Sequence, residues 1–256
     1  MSAPEVPHDA PSIVFDDRVA ENYDVAAAEM FEPSRLDPAV EFLAALAGSG
    51  PVLEFGIGTG RVAIPLVERG LGVSGIDVSA PMIGQLRKKP AASNIEAVVG
   101  SCATTILPGA FGLVYCVWNT FVNLLSQGEQ VACFENAARH LSPGGHFVIE
   151  AGSPSIQGLL PGERYKAFTV SATRLGFDEI DTMTQRGISH HYWVVDDRLE
   201  SWSAPWRYVW PSELDLMGRI AGLQLVERWS GWKREPFVAP TDSLVSVWRK
   251  PLGDRT

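Results

Sequence analysis

From Pro51 to Glu150, short and almost wholly apolar runs alternate with longer segments whose apolar residues recur three and four positions apart. The first kind predicts strands at Val52–Phe55, Gly72–Asp77, Ile95–Val99, Leu113–Val117 and His146–Glu150. The second predicts helices over Arg61–Arg69, closed by Gly70, and after the Ser79 and Pro81 start signals. A further helix is predicted over Glu129–Leu141, stopped by Pro143-Gly144-Gly145. Two helices precede this region, Val19–Met30 and Asp37–Ala47, the latter with Asp37 as cap and Pro38 at its first position. Apolar strands alternating with helices argue a parallel sheet covered on both faces.

The pattern changes after Ala151. Phe168–Leu175, Asp178–Thr184, Ile188–Val195 and Leu199–Trp210 read as strands joined by turns as short as Val195-Asp196-Asp197-Arg198. Connections of that length suit antiparallel hairpins. A helix over Ser212–Ala221, with Pro211 at its start, and strands at Leu223–Trp229 and Leu244–Arg249 then return to the first pattern. The expected division is a flexible tail over 1–14, a main domain over 15–151 and 211–256, and an antiparallel insert over 152–210. There is no internal repeat.

Composition narrows the class. The 256 residues, 46% hydrophobic and 20% charged, suit a globular chain large enough to hold a core without disulfides. Cys102, Cys116 and Cys133 are odd in number and contain no CxxC pair, which argues against a disulfide framework and a structural zinc site. No metal is expected. The net charge of −9, with no basic cluster longer than Arg87-Lys88-Lys89, disfavours nucleic acid and anionic membranes as partners. Met1–Pro11 lacks the apolar stretch of a secretory signal. Ala97–Gly128 is uncharged but broken by Gly100, Pro108, Gly109, Gly112 and Asn119, so it reads as buried strands and loops rather than a membrane span. These features lead to a cytoplasmic assignment.

The segment that carries chemistry is Glu54-Phe55-Gly56-Ile57-Gly58-Thr59-Gly60-Arg61, between a strand and a helix. Alternate glycines admit tight, positive-φ backbone and leave no Cβ between main chain and ligand, and a helix start favours an anionic ligand group. Asp77 ends the next strand, where a carboxylate accepts hydrogen bonds from ribose hydroxyls. Together they point to a nucleoside-containing cofactor. Dinucleotide binders use G-x-G-x-x-G/A, and here the place of the last small residue is taken by Arg61.

The run Val52–Arg61 resembles the first motif of class I S-adenosylmethionine-dependent methyltransferases. The resemblance continues through Gly75-Ile76-Asp77-Val78-Ser79, Pro81-Met82-Ile83, Leu113-Val114-Tyr115, Leu141-Ser142-Pro143-Gly144-Gly145 and Ser212–Arg228. It covers most of the chain from about residue 15 and is nearest to small-molecule enzymes such as glycine and amino-sugar N-methyltransferases. It implies a Rossmann-like α/β fold, a seven-stranded mostly parallel sheet with an antiparallel insert before the last helix. It implies S-adenosylmethionine as cofactor, with Gly56, Gly58 and Gly60 at the methionine moiety, Asp77 at the ribose, and Val78 and Met82 on the adenine. Tyr23, in Asn22-Tyr23-Asp24, matches a tyrosine that closes over the methionine end, and packing alone is the other reading for it. Glu54 bonds either the loop backbone or the cofactor's amino group. Phe55, Arg61, Cys102, Ala103, Val117 and Asn119 complete the implied cofactor site.

Two departures stand out. The family's Gly-Asp after the third strand is Gly100-Ser101 here, so Ser101 meets the adenine side without charge. After the fourth strand, Val117-Trp118-Asn119-Thr120-Phe121-Val122-Asn123 replaces the Asn/Asp-Pro-Pro-Tyr/Phe of nucleic-acid amino-methyltransferases. Seven of the eight tryptophans lie at 193 or later, and Trp202, Trp206 and Trp210 share a strand face if no bulge intervenes.

The expected reaction is methyl transfer to O, N or C of a small apolar or aromatic molecule by a monomer or homodimer. The substrate contacts would be Trp118, Trp193, Arg207 and Tyr208. Arg207 either pairs a substrate carboxylate or braces Glu213. No residue is an evident base, and His191 and Asn123 are the candidate catalytic groups. His190 and His191 lie on opposite faces of one strand, so one at most faces the pocket. A non-methylating S-adenosylmethionine-binding protein or cyclase, and an NAD-dependent oxidoreductase, are the competing classes.

Overall fold

The structure is a computed structural model that describes residues 15–154, 156, 159–195 and 197–253. The tail at 1–14 and Asp196 of the predicted hairpin turn lie outside the described residues. Its frame is a seven-stranded sheet: β1 (Val52–Phe55), β2 (Val73–Asp77), β3 (Glu96–Val99), β4 (Phe111–Cys116), β5 (Leu141–Gly152), β10 (Gln224–Trp229) and β11 (Ser243–Arg249). The order is β10-β11-β5-β4-β1-β2-β3, and β11 alone runs against its neighbours.

Successive strand residues point to opposite faces, and both faces are buried, so the apolar runs split into two cores. Leu53, Phe55, Val114, Cys116, Phe147 and Ile149 face one core, which α5 (Gln127–His140) and α6 (Pro211–Ile220) cover. Val52, Leu113, Tyr115, Val148 and Val245 face the other, under α2 (Pro33–Ala47), α3 (Ala63–Glu68) and α4 (Ala80–Arg87). Burying one such large side chain contributes about 1.5–3 kcal/mol. Phe134 of α5 ties the first core together through edge-on contacts with Phe121, Phe147 and Trp248.

The helix starts follow capping chemistry. Ser79 caps α4, and Ser126 with Glu129 forms a capping box on α5. The first helix, α1 (Asp17–Ala26), is capped by Asp16 and gives way to a 3-10 turn at Ala28–Phe31, two residues earlier at its start than the pattern predicts. The second starts at Pro33, not Asp37. Pro38 therefore lies inside α2, where it forfeits the bond its N–H would give to the Ser34 carbonyl.

A second, four-stranded antiparallel sheet separates β5 from α6: β6 (Tyr165–Val170), β7 (Arg174–Asp181), β8 (Arg186–Val195) and β9 (Arg198–Arg207). The predicted strand Phe168–Leu175 is in fact a hairpin. Ser171 Oγ accepts the Arg174 N–H there and closes a turn that carries no Gly, Asn or Asp to announce it. The next turn is closed by Asp181, which accepts from Met183 N and Thr184 Oγ1. Trp210 leaves the face of Trp202 and Trp206, because β9 ends at Arg207 and Trp210 becomes the N-cap of α6.

Candidate active site

The C-terminal ends of β1, β2 and β4 meet at the loop Gly56–Arg61. Gly56 and Gly58 both have positive φ, for different physical reasons. A Cβ on Gly56 would fall 2.2 Å from Thr120 Cγ2, whereas one on Gly58 would meet only the flexible end of Met82, at 3.3 Å, and Gly58 donates its N–H to Asp77 Oδ2 at 2.7 Å. Gly56→Ala is therefore expected to cost about 1–3 kcal/mol from overpacking and an unfavourable φ. A urea melt with an unchanged midpoint would contradict this.

Asp77 also accepts from Ser79 N at 2.8 Å, and burial raises its pKa against those two bonds. Glu54 is buried at the floor and accepts the Tyr115 hydroxyl at 2.7 Å. Burial pushes its pKa up to about 8, against the lowering effects of the Tyr115 bond and the Arg61 charge. The Arg61 guanidinium lies 4.6 Å over the Trp118 ring, and Tyr23 packs against the same tryptophan, ring centres 5.9 Å apart. Burial pushes the Tyr23 phenol up to about 12, so it is neutral across the physiological range. These groups border an open cleft lined by Tyr23, Glu54, Gly56, Gly58, Arg61, Val117, Trp118 and Thr120.

α1 is fastened across this cleft. Asp24 accepts from Thr59 Oγ1 and pairs with Lys89, both at 2.6 Å, while Lys89 also donates to the Thr59 carbonyl. On the β4 side, Trp118 and Asn119 both adopt left-handed backbone, a conformation uncommon outside glycine. Glu150, at the end of β5, accepts the Trp118 N–H at 2.8 Å and Trp232 Nε1 at 2.9 Å, and Asn119 Oδ1 accepts the Gly152 N–H.

Other expected residues stand elsewhere. The Phe55 side chain points away from the cleft into the core, between Phe147 and His140. Cys102 and Ala103 are likewise buried in that core, beside Cys116 and Cys133, while Ser101 Oγ accepts the Ala103 N–H. Met82 is buried under the loop, its Cε 3.3 Å from where a Gly58 Cβ would be, and Val78 is half-buried beside Asp77. Asn123 closes the 3-10 turn Thr120–Asn123 next to the cleft.

His191 lies on the second sheet between Phe168 and Trp202, outside the cleft. Burial, aided by Arg174, lowers its pKa. Trp193 borders a separate hollow with Arg174, Tyr192 and Leu199, not the cleft. The structure corrects the substrate role expected of Arg207 and Tyr208. Arg207 is buried, with its donors taken up by Gln130, Gln185 and Glu213, and Tyr208 is buried between Trp206 and Trp210. Sequence reasoning missed Ile57, Thr59, Val62, Thr120 and Glu150. Only Glu150 carried a signal, a carboxylate ending an apolar strand as Asp77 does.

Comparison with known proteins agrees with this geometry. The methyltransferase-domain family matches residues 52–145. The CcbJ methyltransferase from Streptomyces caelestis superposes with a TM-score of 0.83 at 34% identity, covering 93% of this chain and 98% of that one. The chain belongs to the class I S-adenosylmethionine-dependent methyltransferases. A curated relative, the cypemycin N-terminal methyltransferase of a Streptomyces species, is 27% identical over 91% of this chain and 96% of its own length. An amino pentose methyltransferase from Micromonospora echinaspora, solved with S-adenosylmethionine bound, shares the fold at a TM-score of 0.70 and 20% identity, covering 89% of this chain and 96% of its own.

The cofactor of this methyltransferase is S-adenosylmethionine, and the cleft fits it. Its lining holds the carboxyl of Glu54 and the guanidinium of Arg61, of the charge types that an amino-acid ammonium and carboxylate would need, and the Asp77 carboxylate stands beside it, bonded to the Gly58 N–H. A Cβ on Gly58 would project toward Met82 and Asp77, into that space.

Proposed function

We propose that this methyltransferase methylates a nitrogen atom of a small secondary-metabolite amine. The observation that carries the reading is the chemistry of the cleft lining. Its titratable side chains are Tyr23, Glu54 and Arg61. Tyr23 holds its proton, Arg61 is always charged, and Glu54 is engaged with Tyr115. Such a lining supplies no free base, so the acceptor must be nucleophilic without one. A neutral amine meets that condition through its lone pair, and an alcohol does not. The names of relatives support it, since they include N-terminal, amino pentose and sugar N-methyltransferases.

Bound S-adenosylmethionine supplies an electrophilic methyl on a sulfonium. The chain's own part is to align and to exclude water. Tyr23 and Trp118 wall the reacting end with aromatic faces, and Arg61 is held over Trp118 to meet the cofactor's carboxylate. Positioning of this kind supplies roughly 7–11 kcal/mol of the barrier. The amine loses its proton to solvent before it enters. The same reading places the enzyme in the cytoplasm, consistent with three buried free thiols, and acting on a free molecule, not a nucleic acid or membrane. Among the described residues no helix is long and apolar enough to cross a membrane.

The test is incubation with S-adenosylmethionine and a panel of amines paired with their alcohol counterparts, read by product mass. Methylated amines and unchanged alcohols are expected. Methylated alcohols would overturn the nitrogen assignment, and no product from any amine beside intact cofactor binding would favour the non-methylating class. Asp77→Asn keeps the side-chain shape but removes the charge, and a charge-assisted hydrogen bond is worth about 1.5–3 kcal/mol. Cofactor affinity should fall at least about tenfold by calorimetric titration.

A further inference from the structure

The register of the second sheet sorts its side chains onto two faces. One face holds Asp178, Ser189 and Ala204 in a row across β7, β8 and β9, between a row of Gly176, His191 and Trp202 and a row of Ile180, Gly187 and Trp206. This face looks toward the cofactor cleft. Trp202 meets Phe15, Phe15 meets Tyr23, and Tyr23 meets Trp118, with ring centres 6.5, 6.3 and 5.9 Å apart. Arg18 of α1 pairs with Glu200 of the same face at 2.5 Å, and β9 packs on the turn Thr120–Asn123.

The two glycines are there because rings lie across them. A Cβ on Gly176 would strike Phe168 at 2.2 Å, and one on Gly187 would strike Trp206 at 2.4 Å. Between the two rings the floor is small, a serine and an alanine beside the Asp178 carboxylate, with Lys166 next to it on the same face. Ser189 Oγ donates to Asp178 Oδ1 at 2.5 Å and itself accepts Trp206 Nε1 at 2.9 Å, so the carboxylate is fixed in place. Lys166, opposite Asp178 across the β6–β7 ladder, and His191 beside it add to the field there, with His190 on the far face. Burial raises the Asp178 pKa.

A fixed carboxylate set among indole and phenyl faces matches an organic ammonium, which gains from both charge pairing and the ring faces. We propose that this niche recognises a second cationic nitrogen of the substrate, and that Asp178 is the residue that selects for it. The proposal rests on the amine reading above and deepens it. A nitrogen paired with a carboxylate keeps its proton and has no lone pair to attack with, so the docked nitrogen is not the one methylated. The substrate class is then a compact molecule with two basic centres, one at the Tyr23–Trp118 end of the ring path and one at Asp178.

The experiment is calorimetric titration of the enzyme saturated with S-adenosylhomocysteine, using a bis(aminomethyl)cyclohexane and the isostere in which both amines are hydroxyls. The diamine should bind at least about tenfold tighter. Asp178→Asn should erase that preference and Asp178→Glu should keep most of it, with S-adenosylhomocysteine affinity unchanged in both. Equal binding of the two probes, no binding of the diamine, or a preference that survives Asp178→Asn would overturn the proposal. S-adenosylhomocysteine binding, read in the same samples, reports separately on the methyltransferase reading, and its absence in the unmutated protein would overturn that instead.

Discussion

Affinity for S-adenosylhomocysteine is expected to fall about 50-fold between pH 8 and pH 6, and to become nearly flat in Glu54→Gln. The cause is the buried Glu54 carboxyl, whose pKa in the unliganded chain lies at about 8 because burial disfavours its charge. A cofactor ammonium is bound well only by the carboxylate. About half of the molecules carry that form at pH 8 and about one in a hundred at pH 6, so the first unit below 8 costs about fivefold and the next close to tenfold.

The same shift fixes the sign of the apoprotein's stability. Between the ordinary carboxylate value of 4.5 and about 8, the folded chain holds a proton that the unfolded chain has released. Stability of the unliganded protein therefore declines as pH rises through that window, while cofactor affinity climbs. Calorimetry at pH 6, 7 and 8 in buffers of different ionisation enthalpy would show proton release on binding. A pH-independent affinity in the unmutated protein would overturn the assignment of Glu54 to the ammonium.

Much of the frame was legible because its signals are local. Apolar runs such as Val52–Phe55 and Gly72–Asp77 are strands buried on both faces, and the alternate glycines beginning at Gly56 can be accounted for by φ and clearance. Gly56, Gly58, Glu54 and Asp77 come together for the same reason, since all four are tied to the ends of β1 and β2. The insert was less legible. Its hairpin at Ser171–Arg174 is closed by a serine hydroxyl in a stretch of good strand formers, so no turn residue marks it.

Side-chain direction was the other gap. Phe55 stands within the motif but faces the core, and Trp193, although on the sheet face that meets the cleft, lies toward the end of β8 and borders the separate hollow instead. Glu150 acts through space on Trp118, from a strand that the fourth-strand loop only reaches after folding. Such contacts depend on which strands become neighbours, which periodicity does not encode.

Arg207 shows how far a charge can be from the role its chemistry suggests, and Arg207→Ala is expected to destabilise the protein by about 3–5 kcal/mol. Arg207 is 4% exposed, and its guanidinium reaches Glu213 at 2.7 Å, Gln185 at 3.1 Å and Gln130, joining β9, α5 and α6. Removing it leaves a largely buried carboxylate without its cation and the Gln130 and Gln185 oxygens without their donor, which costs more than the loss of the attraction itself. Burial pushes the Glu213 carboxyl up, but bonds from Arg207, Gln185 and Gln127 outweigh it and hold the pKa below the usual value. The bonded network therefore contributes stability above the unfolded carboxylate pKa and loses it as pH falls through the folded one, so the unmutated protein should weaken in acid more steeply than the variant. A urea melt of Arg207→Ala measures the loss, and Arg207→Met with Glu213→Leu, which removes both charges and keeps the volume, should recover most of it. Amine KM in Arg207→Ala at a temperature where it is folded should be unchanged. A selective rise in KM without loss of stability would restore Arg207 to the substrate site and place the strut elsewhere.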